Sequence, residues 1–195
     1  GPIVLGGGAL LLLIVLLIGF LLPTDWTADA SIVLDVTPQE LQSYLDSPEG
    51  WQAWTPWPDS GLVRSGPPRG EGARISWDDR ELGSGSLTIG QVRPDESVAY
   101  SVEVAGAGNA VMRTSGTVTL SSTAEGVLVQ WYEEGDLGRN PLMGYWALSM
   151  ERAQSTEMAK GLEHLGTVAA ASSRSQRLES EERPDSSSGD VDLRP

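Results

Sequence analysis

The stretch from residue 127 to residue 166 constrains the fold most, because a strand pattern there runs directly into a long amphipathic helix. In the segment that begins at residue 127, one side carries Val127, Val129 and Trp131, and the other side carries Gln130 and Glu134 among others, which is the period of a half-buried strand. After a short loop, Asn140 stands at an N-cap position and Pro141 at the first helical position. Apolar side chains then recur at helical spacing: Leu142, Trp146, Met150, Ala153, Met158, Leu162 and Leu165. Such a helix needs a large apolar surface, which the upstream strands can supply.

The composition excludes several kinds of functional site. The chain has no cysteine, so disulfides, thiolate zinc sites and cysteine nucleophiles are excluded. His164 is the single histidine, which excludes any site that needs two imidazoles. The net charge is −14 and Lys160 is the one lysine, which argues against nucleic acid as a partner.

Residues 1–23 are predicted to form a transmembrane anchor. Residues 3–22 carry no charged side chain, and about 20 residues at 1.5 Å each just cross a hydrocarbon core of about 30 Å. A cleaved signal peptide is one alternative, because Ala28, Asp29 and Ala30 resemble an A-x-A cleavage site. A buried core helix is the other, although an uncharged run of this length is rare in soluble domains.

Small and aromatic residues extend this prediction. Gly6, Gly7 and Gly8 are predicted to mark the place where another membrane helix packs closely, with tolerated sequence noise as the alternative. Trp26 follows the span and is predicted to lie in the headgroup layer as an interface anchor. The acidic exit and the absence of basic residues directly after the span favour a domain outside the cytoplasm.

The pattern from residue 24 to residue 170 is that of an α+β domain. Residues 31–36 alternate as a strand, and Thr37, Pro38 and Glu40 form a capping-box pattern that begins a short helix. Further alternating segments follow, separated by turn residues: 73–79, 85–92, 97–104, 111–120 and the strand from residue 127. The predicted fold is therefore a curved antiparallel sheet around a long C-terminal helix.

Strand parity predicts which side chains face a pocket between the sheet and that helix. The inward strand positions are almost all apolar: Ile75, Trp77, Leu87, Ile89, Val98, Tyr100, Val102, Met112, Val118, Leu120, Val129 and Trp131. The candidates for lining a ligand pocket are Trp77, Tyr100, Met112 and Trp131 on the strands, with Trp146 and Met150 on the helix. Residues 49–61 also carry Trp51, Trp54 and Trp57 at a spacing of three. This segment is either the mouth of a ligand pocket or a lid packed on the core.

The sequence contains no recognisable catalytic, metal-binding or cofactor-binding arrangement. Asp78 and Asp79 lie at a strand end, and the acidic cluster of residues 133–136 runs into a turn, where such charges are usually solvated. His164 lies near the predicted end of the long helix, where it would favour the helix dipole rather than take part in catalysis. We therefore predict no catalytic residue, no metal site and no cofactor.

The order of these elements and several local motifs resemble one family. The motifs are SIVLDVTPQELQSYLDSPEGWQAWTPW (31–57), GARISWDD (72–79), GSGSLTIGQV (83–92), VQWYEEGDLGRNPLMGYW (129–146) and GLEHLG (161–166). Together they resemble the START-like helix-grip superfamily, also called SRPBCC or polyketide cyclase/dehydrase-like, in its bacterial branch with an N-terminal membrane anchor. The resemblance implies a deep pocket for apolar ligands between the sheet and the final helix. It does not imply a reaction.

Residues 171–195 form a polar tail that composition predicts to be disordered in isolation. We expect neighbouring proteins to hold this tail in place.

Two functions are consistent with this organisation. The first is a non-enzymatic accessory subunit of a membrane complex, for example a photosynthetic or respiratory one, with other membrane subunits and the lipid bilayer as partners. It would lie in a bacterial inner membrane as a single-pass protein with a periplasmic domain. The second is a membrane-tethered protein that binds an apolar ligand such as a lipid, isoprenoid or polyketide, or a cyclase-like enzyme. We prefer the first function. An open pocket with converging polar groups would favour the second, whereas a cavity plugged by tryptophan side chains would favour the first.

Overall fold

The chain folds into an α+β domain in which one antiparallel sheet packs against a long C-terminal helix. The computed structural model describes residues 2–58, 61–80, 83–105, 111–137 and 141–182. In chain order the elements are α1 (Pro2–Leu21), β1 (Asp25–Leu34), α2 (Pro38–Leu45), α3 (Pro48–Gln52), β2 (Val63–Ser65), β3 (Arg74–Asp79), β4 (Gly83–Arg93), β5 (Ser97–Ala105), β6 (Val111–Thr123), β7 (Gly126–Asp136) and α4 (Pro141–Glu182). The predicted fold class, an α+β domain with a long C-terminal helix, is confirmed. Asn140, the predicted N-cap of α4, lies outside the described residues.

The first strand lies beside the last one in the sheet. The strand order is β1-β7-β6-β5-β4-β3-β2, and each neighbouring pair is antiparallel. β1 pairs with β7 along its whole length, from Asp25 opposite Asp136 to Leu34 opposite Val127. Residues 25–30 therefore belong to β1, although alternation alone predicted a strand only from residue 31. Ladder hydrogen bonds to β7 hold them extended, a long-range effect that local pattern does not contain.

Two capped helices follow β1 and present the tryptophan segment to the sheet. Thr37 accepts a hydrogen bond from the backbone N–H of Glu40 at 3.3 Å, and Glu40 Oε2 accepts from the backbone N–H of Thr37 at 2.7 Å. The predicted capping box is thus confirmed. Ser47 caps α3 in the same way by accepting from the backbone N–H of Gly50 at 3.1 Å. The short α3 that begins there carries Trp51 into the core.

The core lies between the inner face of the sheet, α2–α3 and the middle of α4. Its largest fully buried side chains are Trp51, Trp54, Leu41, Leu45, Ile75, Ile89, Met158, Leu162, Leu165, Val98, Val118 and Val129. The strand residues among them have the predicted parity, which follows from the alternation of side chains across a strand. Burial of each such side chain contributes about 1.5–3 kcal/mol to folding, so this cluster is the main source of stability.

Helix α4 is longer than the apolar stripe predicted. It runs for 42 residues to Glu182 and so continues into the stretch assigned to the polar tail. Ala169 and Ser173 are buried, and the Ser173 hydroxyl donates to Glu40 Oε1 at 2.6 Å. This bond to the α2 carboxylate, with the burial of Ala169, holds the additional turns on the domain. Residues 183–195 lie outside the described residues.

Helix α1 contacts the domain chiefly through the first turns of α4. The Tyr145 hydroxyl donates to the Val15 carbonyl oxygen at 2.8 Å. The two helices approach so closely at Gly144 that an added Cβ there would lie 2.6 Å from Leu22 Cβ. The apolar side chains described along α1 are largely exposed: Leu10, Leu12, Leu13, Ile14, Val15, Leu17, Ile18, Phe20 and Leu21.

The structure does not support the predicted transmembrane anchor. Among the described residues, no helix is both long and apolar enough to cross a membrane. In α1, the structure describes the side-chain surroundings of residue 8, residue 10 and residues 12–21. A Cβ added at Gly8 would contact no other described part of the chain within 4 Å, so the described residues place no helix against Gly8. The surroundings of Gly6 and Gly7 lie outside the description.

Trp26 is placed differently from its predicted position in a headgroup layer. Its side chain is 6 % exposed and belongs to the core. A Cβ added at Gly135, its partner across the β1–β7 ladder, would lie 2.7 Å from Trp26 Nε1. Glycine at position 135 therefore leaves the space that the indole ring occupies, and Trp26 packs on the sheet instead of facing lipid.

Candidate functional site

Four aromatic rings fill the middle of the space between the sheet and α4. The Trp51 ring centroid lies 4.8 Å from that of Trp54, 4.5 Å from that of Tyr100 and 5.9 Å from that of Trp131. Trp51 Nε1 donates to the Leu45 carbonyl at 2.6 Å, and Trp54 Nε1 donates to the Tyr44 carbonyl at 3.1 Å. The predicted lid packed on the core is therefore observed for Trp51 and Trp54.

A first cleft, the sheet-side cleft, remains on one side of these rings. Its volume is about 300 Å³. The lining side chains come from the tryptophan segment and from strands β3, β4, β5 and β7: Trp51, Thr55, Pro56, Trp57, Pro58, Trp77, Leu87, Tyr100, Val102, Val104, Trp131 and Glu133. Trp57 and Trp77 meet edge to face with ring centroids 5.2 Å apart. Apart from Thr55, Tyr100 and Glu133, this lining is apolar or aromatic.

A second cleft, the helix-side cleft, lies between the tryptophan segment and α4. Its volume is about 450 Å³, and it is lined by Trp54, Thr55, Pro56, Trp131, Glu133, Gln154, Glu157, Met158, Lys160, Gly161 and His164. Trp131 and Glu133 line both clefts and form the wall between them. Cavities of this size are in the range that small-molecule sites use. Two other hollows do not reach this wall. One of about 440 Å³ lies between the end of β1 and the second half of α4, and one of about 780 Å³ is lined by residues 149–157 of α4.

Glu133 is a buried carboxyl group at the wall between the clefts. It is 4 % exposed. The Tyr100 hydroxyl donates to its Oε1, and Gln154 Nε2 donates to its Oε2 at 2.6 Å. Trp131 Nε1 in turn donates to the Tyr100 hydroxyl at 2.5 Å. A chain of hydrogen bonds thus connects the sheet, through Glu133, to the middle of α4.

Burial sets the titration of this pair. Burial raises the pKa of Glu133, against the hydrogen bonds from Tyr100 and Gln154 that favour the ionised form. Burial also raises the pKa of Tyr100 well above its ordinary value, and the charge and hydrogen bond of Glu133 act in the same direction. The site is therefore a desolvated carboxyl group held in place by two neutral donors.

The prediction that residues 133–136 form a solvated acidic cluster is wrong for Glu133. Glu134 and Asp136 are exposed, as expected, but Glu133 is the continuation of the inward-facing alternation of β7. The signal was present in the sequence, because Glu133 has the same parity as Val129 and Trp131. The negative charge of Glu133 predicted exposure, whereas its position in the strand predicted burial, and the position is what the fold follows. Gln154, its partner on α4, carried no sequence signal.

The predicted pocket residues divide into two groups. Trp77, Tyr100 and Trp131 line the sheet-side cleft, and Met150 packs against the core. Met112 and Trp146 line neither cleft and are 37 % and 56 % exposed. Met112 lies at the end of β6 that pairs with Val104, and the first turns of α4 that carry Trp146 contact α1. On α4, Met150 is the first stripe residue that packs against the core, and the fully buried stripe residues begin at Met158.

The other titratable candidates, Asp78 and His164, do not contact Glu133 through any described hydrogen bond. Asp78 is exposed and accepts from the Ser84 hydroxyl at 2.6 Å. His164 Nδ1 lies 2.9 Å from the Trp54 carbonyl oxygen, to which it donates, and so fixes the tryptophan segment to α4. The predicted helix-dipole role is wrong, because α4 continues to Glu182. Among the described residues, no group of three or more acidic, histidine or cysteine side chains could hold a metal ion.

The strand order, the long final helix and the clefts between them define a helix-grip domain. The family described as polyketide cyclase / dehydrase and lipid transport matches residues 25–170. The chain belongs to this family, which confirms the resemblance read from the sequence motifs. The match begins after α1, so it lends no support to an anchored branch. Among curated proteins, no significant match is found.

Solved structures share the fold at low sequence identity. A protein of unknown function from Staphylococcus aureus has a TM-score of 0.58 at 10 % identity, over 77 % of this chain and 96 % of that one. CalU16 from Micromonospora echinospora has a TM-score of 0.51 at 17 % identity, over 80 % and 82 % of the two chains. DynU16, a protein in the dynemicin biosynthetic locus, has a TM-score of 0.51 at 14 % identity, over 72 % and 46 %. These likenesses concern the fold alone.

Proposed function

We propose that this protein binds an apolar small molecule in the sheet-side cleft, with Glu133 at the polar end of the site. The observation that carries this proposal is a cleft of about 300 Å³ with an aromatic and aliphatic lining and one buried carboxyl group. Concave apolar sites with a few fixed polar groups are the usual form of small-molecule sites. The family description, which includes lipid transport, supports the same class of ligand.

The four central rings limit this site without closing it. They fill the space that a wholly open helix-grip cavity would leave, and the two clefts remain on either side of Trp131. The ligand is therefore expected to be small or to thread along one side of the rings. The accessory-subunit function was predicted for a cavity plugged by tryptophan, and neither the family nor the solved structures support it.

Chemistry at Glu133 is the second candidate. A carboxyl group whose pKa is raised by burial, beside a phenol and facing a cleft, has the properties of a general acid or base. Members of the family are described as cyclases and dehydrases. Turnover of an apolar substrate that is lost in Glu133→Gln and kept in Glu134→Gln would support it.

The test of binding uses a neutral apolar dye, Nile red, and the full chain. Val102 lines the sheet-side cleft, so Val102→Phe should fill part of it and weaken saturable dye binding at least about tenfold. Val63 lies on the exposed edge strand β2, so Val63→Phe is the matched control and should bind as the wild type does. Equal binding by all three proteins would assign the dye to another surface, such as α1, and contradict the proposal.

We further propose that α1 attaches the domain to a lipid bilayer. Residues 3–22 contain no charged side chain, and Leu13 and Leu17 are among the exposed apolar side chains that no part of the described chain covers. Exposed apolar surface of this extent is a feature of membrane or partner contacts.

The test of attachment is flotation with phosphatidylcholine vesicles. The full chain is expected to float with the vesicles, and the double variant Leu13→Lys and Leu17→Lys is expected to lose flotation. Val63→Lys, on β2, is the control. Absence of flotation by the wild type would refute the attachment.

A further inference from the structure

We infer that the bound molecule is an apolar alcohol or amine whose hydroxyl or ammonium group donates a hydrogen bond to Glu133. This inference rests on the proposed function and specifies the chemistry of the ligand's polar end. It excludes free carboxylic acids as the preferred ligands of the sheet-side cleft. The reasons lie in the hydrogen-bonding capacity of the groups around Glu133.

Glu133 has acceptor capacity left after its contacts within the protein. Each carboxylate oxygen carries two lone pairs, and each Glu133 oxygen accepts one described hydrogen bond, from Tyr100 or from Gln154. A ligand donor can therefore bind to the carboxylate without displacing either partner. Because Tyr100 and Gln154 fix both oxygens, the acceptor positions are already oriented before the ligand arrives.

Apart from the Trp77 indole N–H, for which no hydrogen bond is described, the side-chain hydroxyl and indole donors in the cleft lining are engaged within the protein. Trp131 Nε1 donates to Tyr100, and the Tyr100 hydroxyl donates to Glu133. Trp57 Nε1 donates to the Thr55 hydroxyl at 2.5 Å, and that hydroxyl donates to the Trp51 carbonyl at 2.6 Å. A ligand carboxylate could gain a donor from Tyr100, Trp131, Trp57 or Thr55 only by breaking one of these bonds. A ligand hydroxyl or ammonium group can donate to Glu133 without breaking any of them.

The charge of the cleft has the same consequence. Glu133 is the acidic side chain in the lining of the sheet-side cleft, and that lining contains no lysine, arginine or histidine. A second carboxylate there would be desolvated beside Glu133 without a countercharge. An ammonium group would instead form a charge-assisted hydrogen bond with it. The helix-side cleft differs, since it contains His164 and also Lys160, which pairs with Glu157 at 2.8 Å.

The experiment compares three ligands with the same apolar chain: decylamine, 1-decanol and decanoate, each below its critical micelle concentration. Displacement of Nile red from the full chain near neutral pH gives their relative affinities. A charge-assisted hydrogen bond that the acid lacks corresponds to at least about a tenfold difference. We expect decylamine to bind most tightly, 1-decanol next, and decanoate at least about tenfold more weakly than decylamine.

Two carboxylate variants assign this preference to one residue. Glu133→Gln should lose the preference for decylamine over decanoate, because the amide carries no charge. Glu134→Gln, the exposed neighbour on the opposite face of β7, should keep the wild-type preference. Thermal melting of both variants checks that each is folded.

The outcomes separate this inference from the proposal that it extends. If the wild type binds Nile red in a manner sensitive to Val102→Phe but prefers decanoate or shows no preference, the donor inference is wrong and apolar binding stands. If decanoate binds best and Lys160→Met removes that binding, the polar end lies in the helix-side cleft. If no dye binding depends on Val102, the proposed function itself fails.

Discussion

The two halves of α4 carry similar apolar stripes but have opposite environments. From Met158 to Ser173 the stripe is buried against β1, the sheet interior and α2. In the first turns, Leu142 and Trp146 are exposed and α1 is the neighbouring element. An apolar stripe thus indicates that a helix face is stabilised by burial, but it does not show whether the same chain provides the surface that buries it.

The largest expected effect contrasts one leucine from each half. Leu162 is 1 % exposed and Leu142 is 54 % exposed. Leu162→Ala should lower the free energy of unfolding by about 3 kcal/mol, since it leaves a cavity in the core. Leu142→Ala should change it by less than about 0.5 kcal/mol. Urea denaturation followed by tryptophan fluorescence measures both, and equal losses would show that the first turns are packed as tightly as the core.

A smaller effect is expected where α1 meets the first half. Gly144→Leu places a Cβ 2.6 Å from Leu22 Cβ, and overpacking of this kind costs about 1–3 kcal/mol. Gly8→Leu is the matched control, because nothing lies within 4 Å of its added Cβ. Since the chain has no native cysteine, spin labels at residues 12 and 149 can report the α1–α4 distance. We expect a broad distribution for Gly144→Leu only; unchanged distances would mean that α1 is not docked there.

The extension of the second half depends on one polar contact. Ser173→Ala removes the bond to Glu40 and should cost about 1 kcal/mol of unfolding free energy. Ser175→Ala loses only a bond to its own helix and should be neutral. The pKa of Glu40 is lowered, chiefly by Ser173, so this stabilisation is present above the ordinary carboxyl pKa and is lost as pH falls. If the Ser173→Ala protein has wild-type stability from acidic to neutral pH, the Ser173–Glu40 hydrogen bond does not stabilise the fold.

The smallest expected effect is a change in how stability depends on pH. It concerns Glu133, which accepts a hydrogen bond from Gln154 of α4. Burial raises the folded-state pKa of Glu133, so between its ordinary unfolded pKa and that raised pKa the folded protein holds a proton that the unfolded chain releases. The contribution of Glu133 to stability is therefore greatest below its ordinary unfolded pKa and declines as pH rises through the raised folded value. Glu133→Gln should flatten the decline in urea midpoint from acidic to neutral pH, and Glu134→Gln should not. The same slope in both variants would contradict a desolvated Glu133.

The sequence predicted most of the helices and strands, but not which distant segments contact one another. Alternation and capping residues predicted the strands, the Thr37 helix and the inward positions from Ile75 to Trp131, because these depend on local chemistry. The cover of Trp26 by the sheet, the exposure of Trp146 and the bond from Ser173 to Glu40 depend on pairings between distant segments. Glu133 was an exception, since its parity was readable and its charge was given more weight than its position.

The pairing of β1 with β7 has a consequence for the order of folding. Asp25 and Asp136 are opposite each other although they are about one hundred residues apart in the chain, and contacts of such separation form late. During synthesis we therefore expect β1 to remain unpaired until β7 has been made. The hairpin of β6 and β7 provides the template, and the arrival of β1 brings α1 to the start of α4. Closure of the sheet and docking of α1 are thus expected to be one event, with the amides of both protected together in pulsed hydrogen exchange.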